Sequence, residues 1–183
     1  MKVKQIKVRC FEIVIDDQEE FFEFIRAHED LVRPYLLLLF GRFDTAIDTY
    51  LSQERFVYLW CDDENRLHTI AANKNAAIEP SALSLSSKAL ILRRTIRSGE
   101  RIEHDGDALI FGRVNSGAEL IIGGSCAVFA PLSGALNCEG KCAVIDSVNK
   151  GGLFIFHGAV YERLEGQKRF FWENETVVME DFK

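Results

Sequence analysis

The sequence predicts a small α/β sandwich followed by an all-β domain wound as a β-helix. Three observations carry this. Helix-type and strand-type apolar patterns alternate over the first 75 or so residues and then stop. Beyond them the chain becomes rich in glycine, with short β-type runs separated by Gly, Asn, Asp and Ser. Those runs also repeat. Leu109-Ile110-Phe111-Gly112-Arg113-Val114 aligns with Ala127-Val128-Phe129-Ala130-Pro131-Leu132 eighteen residues later, and Ala143-Val144-Ile145-Asp146-Ser147-Val148 follows after sixteen. In a β-helix each coil turns its apolar residues inward, and stacking supplies the core that one coil lacks. A sandwich of short strands is the competing architecture.

The elements follow in order. Val8 to Ile15 is rich in β-branched and aromatic residues and reads as a strand. Asp16 and Glu19 stand at capping-box spacing, and Phe21, Phe24 and Ile25 continue as a helical apolar stripe. Arg33-Pro34 stops that helix, because a residue before proline is pushed out of the α region. Leu36 to Phe40, ended by Gly41, fits a strand buried on both faces. Asp44 caps a second helix running through Ile47, Tyr50 and Leu51. Phe56 to Cys61 is a third strand, and Arg66 to Ala71 returns as a fourth after a polar turn. The expected division is an N-terminal α/β domain over 1–75, a linker over 76–87 and a β-helix domain over 88–183. At the end of the chain, Phe170-Phe171-Trp172 and Thr176-Val177-Val178-Met179 flank Glu173-Asn174-Glu175 as a hairpin suited to covering an open end of the coil stack.

Composition excludes several classes. With 48% hydrophobic and 27% charged residues in 183, the chain is not disordered. The net charge of −6 divides into −5 over 1–87 and −1 over 88–183, so neither half carries the basic field of a nucleic-acid binder. Leu36 to Phe40 is far shorter than the ~20 apolar residues of a spanning helix. The lysine-rich start has no secretory signal, and the five cysteines suit a reducing cytoplasm.

Catalysis finds no support. The phosphate-loop, dinucleotide, nucleophile-elbow and zinc-protease motifs are missing from the sequence. Cys138 and Cys142 read as packing residues rather than metal ligands. His104-Asp105-Gly106-Asp107 reads as a turn with a solvated histidine, and His157 as a structural histidine. The expectation is a non-enzyme with no catalytic residues, metal or cofactor. One stretch stands out, Arg93-Arg94-Thr95-Ile96-Arg97-Ser98-Gly99-Glu100-Arg101, with four arginines at the entrance to the repeats. As a strand it would place Arg93, Thr95 and Arg97 on one side and Arg94 and Ile96 on the other. Arginine suits an interface because its planar fork pairs carboxylates, and a charged, solvated edge strand is the alternative.

These residues also carry a family resemblance. Arg97-Ser98-Gly99-Glu100-Arg101-Ile102, then Gly106-Asp107-Ala108-Leu109-Ile110, then Gly112 to Ile121 with its Gly117-Ala118-Glu119 core, resembles the C-terminal domain of the MinC family of septum-site inhibitors. The match is close from Arg97 to Gly124 and weak through Leu132-Ser133-Gly134-Ala135. The resemblance implies a right-handed β-helix that dimerises, joined to an N-terminal domain that antagonises FtsZ filaments and so blocks septa away from mid-cell. It implies recruitment by MinD to the inner face of the membrane, with no direct membrane or nucleic-acid contact. The family's R-S-G-Q motif belongs to the MinD-binding surface, which implicates Arg97, Ser98, Gly99 and Glu100. Glu100 departs from the glutamine: a carboxylate only accepts hydrogen bonds, and pairing with Arg101 is one expected consequence. Lys7 and Arg9, in the first strand, are implicated in touching FtsZ. A flat apolar face of the β-helix, too large to stay wet, is expected to pair two copies. The rival readings are a bactofilin-like polymer-forming protein and a hexapeptide-repeat acyltransferase; the irregular eighteen-then-sixteen spacing disfavours the second.

Overall fold

The computed structural model describes residues 10–61 and 89–182. Lys7, Arg9, the expected linker and the expected fourth strand lie outside the described residues. Residues 10–61 run β1 (Cys10–Ile15), α1 (Gln18–Ala27), α2 (Glu29–Val32), β2 (Leu36–Gly41), α3 (Thr45–Gln53) and β3 (Val57–Cys61). The three strands form a parallel sheet in the order β1-β2-β3.

The helix signals act one residue later than the capping-box spacing predicts. Asp17, not Asp16, is extended and accepts from the Glu20 backbone N–H. Asp44 caps α3 as expected, accepting from the backbone N–H groups of Ala46 and Ile47. The first helical stretch breaks at His28 and resumes as the single turn α2 before Pro34 ends it. Gly41 has φ +129, and a Cβ there would lie 2.6 Å from the Ile15 carbonyl oxygen, so the close exit from β2 beside β1 requires glycine. On one side of the sheet Phe21, Ile25, Leu37, Leu39, Ile47, Leu51 and Tyr58 pack together under the helices.

Residues 89–182 form the coil stack. One sheet runs β14-β13-β10-β8-β6-β4 and the other β12-β11-β9-β7-β5. The strands from the first coils are β4 (Leu90–Leu92), β5 (Arg101–His104), β6 (Ala108–Ile110), β7 (Glu119–Ile122) and β8 (Cys126–Val128). β9 (Ala135–Cys138), β10 (Cys142–Ile145), β11 (Leu153–Phe156), β12 (Ala159–Tyr161), β13 (Lys168–Glu173) and β14 (Thr176–Asp181) complete it. The third side of the prism is a ladder of single bridges, Ile96–Val114–Leu132–Val148–Leu164. Strands within the stack pair in parallel up to β10 and β11; β12 and β13 then return antiparallel. Inside, Leu92, Ile96, Ile110, Val114, Leu120, Val128, Leu136, Ile145 and Phe154 form one continuous core, each such side chain stabilising by roughly 1.5–3 kcal/mol.

The period of eighteen holds for β4 to β6 and β6 to β8. It does not continue as sixteen at β10. Val144, not Ala143, sits beside Ala127, so Ala143 points into the prism and Val144 out. The cause is corner length. From Val114 to β7 the chain takes five steps to Glu119, but from Leu132 to β9 only three to Ala135. The next corner regains one residue, because a one-residue slip would turn every side chain of β10 to the wrong face. Gly112 stands where the chain turns a corner beside Arg94: a Cβ there would sit 1.7 Å from the Arg94 carbonyl oxygen.

The two parts share a second apolar layer. The far side of the N-terminal sheet (Leu36, Leu38, Phe40, Val57, Leu59, Cys61) lies against the outer face of the six-stranded sheet (Leu109, Ala127, Phe129, Cys142, Val144, Phe171). The flat apolar face expected from the repeats is therefore present, but this chain's own N-terminal sheet covers it. Polar contacts fix the seam. Asp107 accepts from the Trp60 backbone N–H at 2.9 Å, Lys141 pairs with Asp48, and Arg55 donates to Glu173 at 2.7 Å.

Candidate partner-binding edge

Ile96 is wholly buried and bridges Val114, which turns Arg97 outward at a corner of the prism. The chain reverses over Arg97-Ser98-Gly99-Glu100: the Glu100 N–H donates to the Arg97 carbonyl at 3.1 Å and Gly99 has φ +82. Glycine at the third position with positive φ makes this a type II turn. The next coil repeats it over Asn115-Ser116-Gly117-Ala118, and a Cβ on Gly117 would lie 2.6 Å from the Ser98 Oγ. A third such turn follows at Asn149-Lys150-Gly151-Gly152. Three coils thus carry the same turn at this corner, the shorter Leu132–Ala135 passage lacking it, and the first has exposed tips at Arg97, Ser98 and Gly99.

The arginines of this stretch do not alternate as a strand would have them, because the chain bends at 93–95 between β4 and the bridge ladder. Arg93 lies 5.6 Å over the Phe111 ring, and burial lowers the pKa of its guanidinium. Arg94 is exposed rather than inward and donates from Nη1 to the Glu100 carboxylate at 2.6 Å. That bond, above the other causes, holds the Glu100 carboxyl below its ordinary range. The expected Glu100–Arg101 pair does not form; Arg101 instead pairs with Glu103 at 2.7 Å and Glu119 at 2.9 Å. Arg97 stays exposed, and among the described residues no hydrogen bond or ion pair ties its guanidinium.

The groups weighed for chemistry sit elsewhere. A cleft of roughly 500 Å³ opens at the seam, walled by Trp60, Trp172, Asp48, Asp107 and Lys141. Asp107, read from sequence as part of a turn with a solvated histidine, is half-buried there and takes backbone N–H bonds from Trp60 and Ser125. Burial pushes its carboxyl up from 3.8 to about 6. Asp48 is engaged by Lys141 and by the Tyr58 hydroxyl at 2.8 Å. His157 is structural as expected: its Nε2 is 2.8 Å from the Gly140 carbonyl and its ring stacks on Trp172 at 4.1 Å. Cys138 and Cys142 are both buried, and desolvation pushes the Cys142 thiol up to about 12, which keeps that thiol protonated.

Comparison with known proteins places this architecture. Residues 90–143 match the family model described as the septum formation inhibitor MinC, C-terminal domain. A septum site-determining protein MinC of Helicobacter pylori is 23% identical over 97% of this chain and 93% of its own length. The chain is thus similar to MinC proteins along nearly its whole length, and to the MinC C-terminal domain over 90–143. The family is one of division regulators. A MinC of Aquifex aeolicus is 42% identical over 43% of this chain and 33% of that protein. A solved MinC:MinD cell division protein complex from Aquifex aeolicus is 29% identical, covering 52% of this chain and 87% of that one, with a TM-score of 0.43. Within the MinC-matched segment lie the Arg97 turn, the Arg94–Glu100 pair and half-buried Asp107. Sequence reasoning missed two of these: Arg94 as the partner of Glu100, and Asp107 as a seam residue. No described helix is long and apolar enough to cross a membrane.

Proposed function

We propose that this chain inhibits septum formation by antagonising FtsZ filaments, and that MinD bound to ATP recruits it to the membrane through the Arg97 edge. It acts by stoichiometric interference with a polymer, not by catalysis. The observation that carries the reading is the Arg97 turn, which presents an exposed, unpaired guanidinium on the segment whose relatives are septum site-determining proteins. Arg97 supplies the fork that a carboxylate accepts, Ser98 and Gly99 offer a turn tip without bulk, and Glu100 is neutralised by Arg94. Residues 1–75 are the FtsZ-facing part, with Lys7 and Arg9 as its contact residues, 76–87 the linker, and 88–183 the part that binds MinD and pairs with a second copy. A bivalent assembly would raise the effective concentration of each N-terminal part at the membrane. If the two copies meet through the six-stranded face, each must lift its own N-terminal sheet from it.

Two sedimentation experiments test this. FtsZ polymer should fall in the pellet when the full chain is added. With MinD, ATP and anionic vesicles, the chain should co-pellet, and Arg97→Ala should lose at least ten-fold in that association with its unfolding midpoint unchanged. Normal co-pelleting of Arg97→Ala would remove the site assignment; undiminished FtsZ polymer would remove the inhibitory role.

A further inference from the structure

Seven arginines stand on the described prism, and five are already engaged. Arg94 pairs with Glu100, Arg101 with Glu103 and Glu119, Arg163 with Glu165, Arg169 with Glu180, and Arg93 lies over Phe111. Arg97 and Arg113 are exposed, with no hydrogen-bonded carboxylate and no aromatic ring among the described residues.

Their positions are linked by the fold. Ile96 bridges Val114, with the Ile96 N–H donating to the Arg113 carbonyl at 2.9 Å and the Asn115 N–H donating to the Ile96 carbonyl at 3.0 Å. Both bridge residues point into the core at 0% exposure, so their neighbours on each side face out. Arg113 shares a rung with Thr95, and Arg97 shares one with Asn115. One strand spacing across and two residues along put the two Cα atoms about 8 Å apart. The rest of the nearby third side is uncharged: Thr95, Asn115, Pro131, Ser133, Ser147 and Asn149, with Asn149 donating to the Ser133 Oγ at 2.9 Å. Glu100, the acid beside Arg97, already takes the Arg94 guanidinium, so two like charges held this close make a surface that gains most by meeting further carboxylates.

We infer that Arg97 and Arg113 form a two-pronged receptor for a pair of carboxylates on the docking partner, so that the binding edge runs across two coils rather than ending at the Arg97 turn. The inference rests on the reading that this edge docks MinD. Each guanidinium would take one carboxylate in a forked, charge-assisted contact. Carboxylates one helical turn apart, about 6 Å, lie within reach of both prongs.

The test is the full chain titrated onto MinD with ATP on phosphatidylglycerol-containing vesicles, comparing Arg113→Ala, Arg113→Glu, Arg113→Lys and Arg97→Ala. Arg113→Ala should weaken association roughly ten-fold and Arg113→Glu further, with a shallower salt dependence in both. Arg113→Lys should recover part of the loss, and FtsZ sedimentation without MinD should be unchanged in every Arg113 variant. If Arg97→Ala abolishes association while Arg113→Glu binds as wild type, the second prong is wrong and the MinD reading stands. If neither position matters, the reading of the edge itself fails. If Arg113 matters and Arg97 does not, the two do not act as a receptor.

Discussion

Glu100 puts a carboxylate beside Arg97 where the family resemblance has an uncharged glutamine, and Arg94 neutralises it. The pair is at the surface, with Arg94 59% and Glu100 31% exposed, so it sets the charge of the edge rather than the stability of the fold. Arg94→Ala is expected to leave the unfolding midpoint unchanged and to weaken partner association several-fold, because the released carboxylate then competes for Arg97. Glu100→Gln in the same chain should restore it. Association measured for the single and double variants checks this; a loss in Arg94→Ala that Glu100→Gln fails to rescue would assign Arg94 a contact of its own. The motif residues were legible in the sequence because their order is local. The Arg94 partnership was not. Arg94 stands six positions from Glu100, which a strand would hold about 20 Å away, and only the bend at 93–95 with the turn at 97–100 brings them together. Asp107 was hidden for a similar reason: Asp105-Gly106 is a true turn signal, and nothing in it says that the following carboxylate will be roofed by β3.

Elements whose pattern is local were read well, and elements closed by long-range packing less so. The α3 cap and the buried β2 follow from a few adjacent residues. The coil register does not, because the corners differ in length, and sixteen-residue spacing misplaced β10 by one residue. The terminal hairpin was legible from its turn, where Asn174 at φ +47 and Glu175 at φ +60 supply the left-handed residues of a tight two-residue loop. Its seat was not. β13 extends the six-stranded sheet antiparallel to β10, and Phe170 enters the prism against Phe154, Phe156 and Tyr161. Phe170 closes the core at the end of the stack with 0% exposure. Phe170→Ala is expected to cost about 3–5 kcal/mol, since a ring-sized cavity at the end of a stack of coils has few neighbours able to collapse into it. Denaturant unfolding of the full chain measures this. A loss below about 1 kcal/mol would mean that the hairpin does not complete the core.

At the scale of the whole molecule the seam decides behaviour, and its chemistry is proton-linked. Asp107 is roofed by the N-terminal sheet; burial raises its carboxyl from 3.8 to about 6, against the Trp60 and Ser125 N–H donors. Nearby, Asp48 adds to the rise and Lys141 opposes it. Undocking returns Asp107 to water and towards 3.8, so the docked arrangement binds its proton more tightly. The contribution is full below about pH 4 and is lost as the pH rises through about 6; the whole span corresponds to roughly 3 kcal/mol. Hydrogen exchange at the Trp60 amide, corrected for its intrinsic rate, should therefore show stronger protection at pH 5.5 than at pH 8, and Asp107→Asn should flatten the difference. Neither side of the seam was legible as a seam, because the sequence showed two apolar faces without saying that they meet. Cys61 and Ala89, 28 positions apart, end in the same apolar cluster. The consequence is a competition. A dimer stacked on the six-stranded face would gain that surface only by exposing Leu36, Leu38, Phe40, Val57 and Leu59 of each N-terminal sheet, so docking must hold such a dimer back. Arg55→Glu would set a third acid against Glu173 and Glu180, and Lys141→Glu would face Asp48, loosening the seam without touching either apolar face. The double variant is expected to dimerise several-fold more tightly in sedimentation equilibrium, with Trp60 exchanging faster. Faster exchange with unchanged association would move the dimer contact to another side of the prism and leave the N-terminal sheet docked in both states.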